Sequence, residues 1–142
     1  EMIKFKKIVF MFQKELADRI ISKVNTKNYG RLSILSNWKF EVRKITDVSP
    51  NSFKPRPKIN SSLLLFTPKE NIFKLKNPKN LEYVTKVFFN QRRKKIKKPI
   101  NILFKNTVNL EKKLKLDMNL RPQNLPIETF FKIVREFENL IR

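Results

Sequence analysis

The hydrophobic pattern of this chain changes period once, and that change divides it into two kinds of structure. Up to Thr67 the apolar residues come in short β-rich runs: Lys4–Phe12, suited to a buried strand; Phe40, Val42 and Ile45, a partly exposed strand in which Lys39, Glu41 and Arg43 alternate with Phe40 and Val42; and Ser61–Thr67. Between the first two, Leu16, Ala17, Ile20, Ile21 and Val24 share one face of a helix over 13–24, Asn28-Tyr-Gly30 reads as a turn, and Leu32–Trp38 as a short helix. Beyond Pro78 the three- and four-residue spacing of Leu81, Val84, Val87, Phe88 and Gln91 predicts a helix capped by Asn80 and running to about Lys95. Shorter helical elements follow around Ile100–Phe104 and Leu110–Leu116. A last helix opens near Pro126, with Phe130, Phe131, Val134, Phe137 and Ile141 on its inner face.

The expected fold class is therefore α/β over 1–69, a polar connection over 70–79, and a small all-α domain over 80–142. Three strands with helices do not close a doubly wound sheet, because both faces and one edge stay uncovered. The first part thus calls for further strands.

Composition narrows the chemistry. The absence of Cys and His removes thiol nucleophiles, disulfides, imidazole bases and the usual zinc ligands together. No apolar run approaches the ~18 residues that span a bilayer, and Glu1–Lys4 has no signal-peptide character, so the expectation is a soluble, cytoplasmic protein without a membrane partner. A formal charge of +21 points to a polyanion, since each phosphate neutralised by Lys or Arg releases condensed counterions. The same abundance of Lys, Asn, Ile and Phe is what AT-rich coding yields without selection for binding. Charge alone leaves an anionic membrane or an acidic protein open, so placement has to decide.

Two placements are informative. In Asn51–Ser62 an aromatic, two alternating prolines and the cations Lys54, Arg56 and Lys58 form a stiff basic loop leading into Leu63–Phe66. Such a loop can present Phe53 for stacking and its cations to phosphates, although the plainer reading tucks Phe53 into the core. In Gln91–Lys98, Arg92, Arg93, Lys94, Lys95, Lys97 and Lys98 stand with no acid among them. A solvated helix end accounts for them equally well on charge alone; the forked donors of Arg suit phosphate. Glu15, Asp18 and Arg19 read as surface pairs with no catalytic role.

Together with Phe12-Gln-Lys-Glu-Leu-Ala-Asp-Arg19, Tyr29-Gly-Arg-Leu-Ser33 and Phe89-Asn-Gln-Arg-Arg-Lys94, the proline loop resembles the ribosomal RNA adenine N6-dimethyltransferases, nearest to the bacterial enzymes acting on adjacent adenines of 16S rRNA. The resemblance runs from about Ile3 to the C-terminus. It implies the last strands of a Rossmann-like S-adenosylmethionine methyltransferase domain followed by a helical domain that docks on the immature small ribosomal subunit. It makes Phe53 and Pro55 part of the pocket for an extruded adenine. Arg31, Lys54, Arg56, Lys58 and the cations Arg92, Arg93, Lys94, Lys95, Lys97 and Lys98 become contacts to 16S rRNA.

The family's Gly-rich cofactor turn and its Asn-Leu-Pro-Tyr motif are absent; Gly30 is the single glycine, and Asn124-Leu-Pro126 continues with Ile127. The chain is thus expected to be the C-terminal portion of such an enzyme, inactive alone and monomeric. It should hold no catalytic, cofactor-binding or metal-binding residue, with S-adenosylmethionine bound by the preceding half. A noncatalytic basic RNA-binding or ribosome-associated protein is the alternative. A 23S rRNA methylase of the erythromycin-resistance type shares the proline loop, but the Tyr29–Ser33 and Asn90–Arg93 strings favour the small-subunit enzymes.

Overall fold

A computed structural model describes residues 5–105 and 107–141. Its first part is an antiparallel sheet of β1 (Ile8–Gln13), β2 (Phe40–Val48) and β3 (Ser61–Pro68) in the order β1-β3-β2. Because β1 and β2 both run antiparallel to β3, they are parallel to each other, and the crossover between them carries α1 (Lys14–Ile20) and α2 (Arg31–Lys39). Ala17 and Ile20 of α1 pack on Leu64 and Phe66, with Ile8, Phe12, Phe40 and Val42 around them. The β-rich runs and the α/β class expected from the sequence are therefore present; Lys4 lies outside the described residues.

Two expectations for this part are corrected. The first run was expected to form a buried strand, yet Val9, Phe10 and Met11 are 52, 51 and 50% exposed. Among the described residues β1 pairs only with β3; Val9 and Met11 alternate away from Ile8 and Phe12 and so from α1, whereas Phe10 shares their face, edge-on to Phe12 and Phe66, and stays half-exposed. The helix over 13–24 is cut to seven residues, and Leu16, within it, is exposed. Ser22 donates its hydroxyl back to the Asp18 carbonyl, and Asn25, at φ 69°, turns the chain so that its N–H reaches the Gln123 carbonyl at 2.9 Å. A partner 98 positions away in sequence, invisible to local periodicity, ends the helix. In β2 the alternation slips at a bulge between Lys44 and Thr46, which leaves Ile45 unpaired and exposed.

The second part holds α3 (Pro78–Phe89), α4 (Lys97–Leu103), α5 (Thr107–Leu114) and α6 (Ile127–Leu140). Asn77, not Asn80, caps α3: its side chain accepts from the Lys79 N–H at 3.0 Å, and Pro78 fills the first turn, where no N–H is needed. The helix stops at Phe89 instead of Lys95, and residues 90–94 form a turn. Asn80 serves another purpose, donating its amide to Glu138 of α6 at 3.1 Å.

Phe130, Phe131 and Val134 of α6 are buried as expected. Ile133 and Glu138 join them, whereas Ile141 falls beyond the helix end and is exposed. The larger core gathers Leu81, Val84 and Phe88 of α3, Ile96 just before α4 and Ile100 within it, and the inner face of α6, together with Tyr29 and Ile34 from the first part. Tyr29 is fully buried and donates its hydroxyl to the Leu125 carbonyl at 2.8 Å. That bond fastens the turn before α2 to the loop before α6.

Candidate nucleic-acid interface

The turn after α3 sets the main basic site. Arg92 donates through Nη2 to the Lys27 carbonyl and through Nε to Gln123 Oε1 at 3.4 Å, so the turn is tied to both the Lys27–Asn28 turn and the short 3-10 turn Pro122–Asn124. Phe89 leans edge-on toward Tyr29, with ring centroids 6.3 Å apart, beside Gly30 at the start of α2. These ties open a groove of about 950 Å³ lined by Arg19, Lys27, Arg31, Leu35, Arg92, Arg93 and Gln123, among others. No acid is among its described lining residues.

Electrostatics leave this groove short of negative charge. Arg31 occupies the first turn of α2, where the helix dipole disfavours a cation, and that turn carries no acid. Its Nε is buried without a hydrogen-bond partner among the described residues, as is Gln91 Oε1. Of the cations lining the groove, Arg19 alone has a described carboxylate close by, Glu15 at 2.6 Å. Forked donors converging without counter-charges fit the oxygen-rich edge of a phosphate backbone.

The groove brings together Arg31, Arg92 and Arg93, which the sequence singled out from segments some sixty residues apart. It adds Lys27, Arg19 and Gln123, which carry no local signal, because only the tertiary ties of the turn place them there. The cations do not lie on a helix running to about Lys95, as the sequence predicts: α3 ends at Phe89, and the turn after it distributes them. Lys95 is drawn to Asn119 Oδ1 at 2.8 Å, while Lys94, Lys97 and Lys98 are exposed and do not line the groove.

The proline loop makes a second surface. Its residues leave β2 through the 3-10 turn Pro50–Ser52; Phe53 is half-buried and belongs to neither core, and Lys54, Pro55, Arg56 and Lys58 are exposed. The Lys54–Pro55 bond is cis. Where the loop returns, Ile59 and Asn60 border a cleft of about 380 Å³ with Gln13, Lys14, Glu15 and Asp18. Glu15 lines this cleft and Arg19 lines the basic groove, and the two are ion-paired one helical turn apart. The two surfaces therefore meet on α1, where Glu15 and Arg19 stand about 6 Å apart along its axis.

Asp47, unmarked in the sequence, closes this end of the sheet. It accepts the Ser62 hydroxyl at 2.6 Å, Lys44 Nζ at 3.2 Å and Lys14 Nζ at 3.3 Å. The Ser62 bond, then Lys44 and Lys14, hold its carboxyl down to about 2, and the Asp47 carboxylate in turn holds the Lys14 ammonium above its ordinary value. The pair is exposed, so it acts as a local tie and contributes little to global stability.

A family model described as ribosomal RNA adenine dimethylase matches residues 1–139. The chain belongs to the ribosomal RNA adenine dimethylase family. It is similar to the ribosomal RNA small subunit methyltransferase A of Pelagibacter ubique, 62% identical over 96% of this chain and 52% of that protein, and to that of Prochlorococcus marinus, 38% identical over 97% and 51%. The chain spans about half the length of the curated relatives it matches.

Among solved structures, a dimethyladenosine transferase from Plasmodium falciparum superposes with a TM-score of 0.78 at 28% identity, over 98% of this chain and 59% of that one. The 23S rRNA methyltransferase ErmE, at 18% identity and a TM-score of 0.57, shares the fold. For this adenine dimethylase chain the α/β sheet followed by helices is thus the architecture of its structural neighbours.

Neither Gly30 nor the basic groove fits S-adenosylmethionine. Gly30 sits in extended backbone, φ −178°, and a Cβ there would meet Phe89 at an ordinary 3.8 Å, so it is no tight cofactor-cradling turn. The groove beside it is lined with cations, which offers no carboxylate to a ribose. Among the described residues no group of His, Cys, Asp and Glu is arranged to hold a metal, and no helix is long and apolar enough to cross a membrane.

Proposed function

We propose that this chain is the C-terminal part of an S-adenosylmethionine-dependent methyltransferase that dimethylates N6 of adjacent adenines in 16S rRNA of the immature small ribosomal subunit. In this reading residues 1–69 complete the catalytic domain, 70–79 link it to the helical part, and 80–142 dock on the RNA. The cofactor binds to the half of the relatives' length that this chain does not span, and the protein works as a cytoplasmic monomer. No step of the methyl transfer itself is assigned to residues of this chain.

The observation that carries the reading is the acid-free groove where Arg31, Arg92 and Arg93 converge with Lys27. It adjoins the proline-loop cleft across the Glu15–Arg19 turn of α1. RNA phosphates held in the groove leave an extruded base within reach of the loop, where Phe53 stacks on it and Pro55 borders it. Lys54, Arg56 and Lys58 meet the flanking backbone. Lys94, Lys95, Lys97 and Lys98 extend the docking surface past the turn. The names of the relatives support the same substrate class.

The test is the salt dependence of RNA binding by the 142-residue chain. Abolishing one cation–phosphate pair should reduce the slope of log K against log salt by about 0.7–0.9. Replacing Arg31, Arg92 and Arg93 by Gln should therefore flatten it by about 2 to 3 units, whereas Gln at Lys44, Lys112 and Lys113 should leave it nearly unchanged. Equal slopes for both triple variants would retire the groove as the RNA site and leave only diffuse positive charge.

A further inference from the structure

The proline loop is held by a clasp that its own sequence does not reveal. Three ties meet at the end of the sheet where the loop leaves β2 and returns to β3. Ser62 on the returning strand donates to Asp47 on the departing one at 2.6 Å. Lys14, first residue of α1, crosses over β3 from the β1 side to reach Asp47 at 3.3 Å, and its backbone N–H donates to the Asn60 carbonyl at 2.9 Å. Lys44 completes the set at 3.2 Å.

One carboxylate thereby joins β2 and β3 to the start of α1, which follows directly on β1, at the row that includes Asp47, Ser62 and Phe12. By contrast, the loop it closes has little packing of its own. Asn51, Ser52, Lys54, Pro55, Arg56, Lys58, Ile59 and Asn60 are exposed, and Phe53 joins neither core. With so little apolar contact, the anchors at its two ends and the fixed φ of its prolines determine where Phe53 sits.

We infer that Asp47 is a positioning residue: by clasping Lys14 and Ser62 it fixes the proline loop, and with it Phe53, against the Gln13–Glu15 side of the cleft. The inference rests on the reading that Phe53 contacts the target adenine. Aromatic stacking on an extruded base tolerates little displacement, because a shift of about 1 Å in a positioning group can cost on the order of 100-fold in rate. Without the clasp the β2–β3 pairing still closes the base of the loop and RNA still binds through the groove, but Phe53 is presented in many orientations. Asp47 therefore governs turnover and leaves docking alone.

The test uses the full-length enzyme, with single-turnover methylation of small-subunit RNA at saturating RNA, RNA affinity and melting temperature measured on each variant. Asp47→Ala should slow methylation about tenfold or more with RNA affinity within about twofold of the parent. Asp47→Asn, which keeps an acceptor for Ser62 but loses the charge that holds Lys14 and Lys44, should fall between the two. If Asp47 acts through Phe53, the double variant Asp47→Ala/Phe53→Ala should be no slower than Phe53→Ala alone, since residues in one chain of action are not additive.

Fully additive losses, or an unchanged rate in Asp47→Ala while Phe53→Ala is slow, would overturn the inference and leave the adenine reading standing. An unchanged rate in Phe53→Ala sinks the adenine reading itself. Limited trypsin digestion supplies a readout independent of catalysis. Lys54 and Arg56 each precede a proline, which leaves Lys58–Ile59 as the susceptible bond of the loop. Both Asp47→Ala and Ser62→Ala should be nicked there several-fold faster than the parent; equal nicking rates would show that the clasp does not order the loop.

Discussion

Glu138 offers the most direct check on how the two ends of the helical part are joined. It lies in the last turn of α6, 4% exposed, where its own helix dipole disfavours a negative charge. It is held there for the sake of another helix. Oε2 accepts the Lys76 N–H at 2.9 Å, and Oε1 accepts the Asn77 N–H at 2.9 Å and the Asn80 amide at 3.1 Å, so the carboxylate caps the N-terminus of α3 from outside. Burial alone pushes this carboxyl up. The backbone N–H groups of Lys76 and Asn77, the Asn80 amide and the Lys76 charge outweigh it and hold the group below its ordinary value.

Truncation to Ala leaves two backbone donors and one amide without their acceptor. A hydrogen bond to a charged group is worth about 1.5–3 kcal/mol and an orphaned buried donor costs about 1–3 kcal/mol. Lys76 and Asn77 are exposed residues, so water can reach part of what the carboxylate gives up. The loss should accordingly be about 2–4 kcal/mol, well short of the sum of three bonds. At roughly 3 °C per kcal/mol for a chain of this size, Glu138→Ala should melt about 6–12 °C lower. Glu138→Gln keeps the shape but sets an NH2 against one of the donors, and should lose about half as much.

The pH dependence gives the sign. A carboxyl depressed in the folded state binds fewer protons there than in the unfolded chain, so its stabilisation is complete above the unfolded pKa of about 4.3 and drains away as pH falls through the lower folded value. The gap in melting temperature between the parent and Glu138→Gln should therefore narrow on acidification below pH ~4. Thermal unfolding followed by circular dichroism at neutral and acid pH measures both effects. A gap within about 1 °C at neutral pH, or one that widens in acid, would refute the capping argument.

Tyr29→Phe should lose about 1–3 kcal/mol in urea unfolding, because the Leu125 carbonyl stays buried without its donor. Burial first, and then Glu128, push the Tyr29 hydroxyl well above its ordinary value, so the parent's stability should fall as pH rises past the unfolded pKa of ~10. That part of the alkaline decline should disappear in Tyr29→Phe. Phe53→Ala should slow methylation by the full-length enzyme by ~10-fold or more, in keeping with base stacking worth about 1–3 kcal/mol. Since Phe53 lies outside both cores, its melting temperature should drop far less than the ~3–5 kcal/mol loss of a core Phe implies; a large drop with normal turnover would return Phe53 to a packing role.

What the sequence determined by itself was whatever depends on neighbours a few residues away. The β-rich runs and the apolar stripe of α6 follow from side-chain period, and both are present. The string motifs were enough to place the chain in its family, because they are contiguous. Residue type and clustering also marked Arg92 and Arg93, and the family resemblance marked Arg31.

Tertiary structure decided the rest. The helix expected over 13–24 ends at Ile20 because Asn25 pairs with Gln123, and the cation-rich end of α3 becomes a turn because Arg92 is pulled to Lys27 and Gln123. Neither partner lies within any local window. The same holds for the two acids that matter most. On the strand β2 and the helix α6, Asp47 and Glu138 look like ordinary polar positions, and only strand register and helix packing bring them to Ser62 and Lys14, or to the open N-terminus of α3. A charge shows in a sequence, but its partner is selected by how the chain folds back on itself, and the partner determines whether that charge is a solvated surface group, a cap or a clasp.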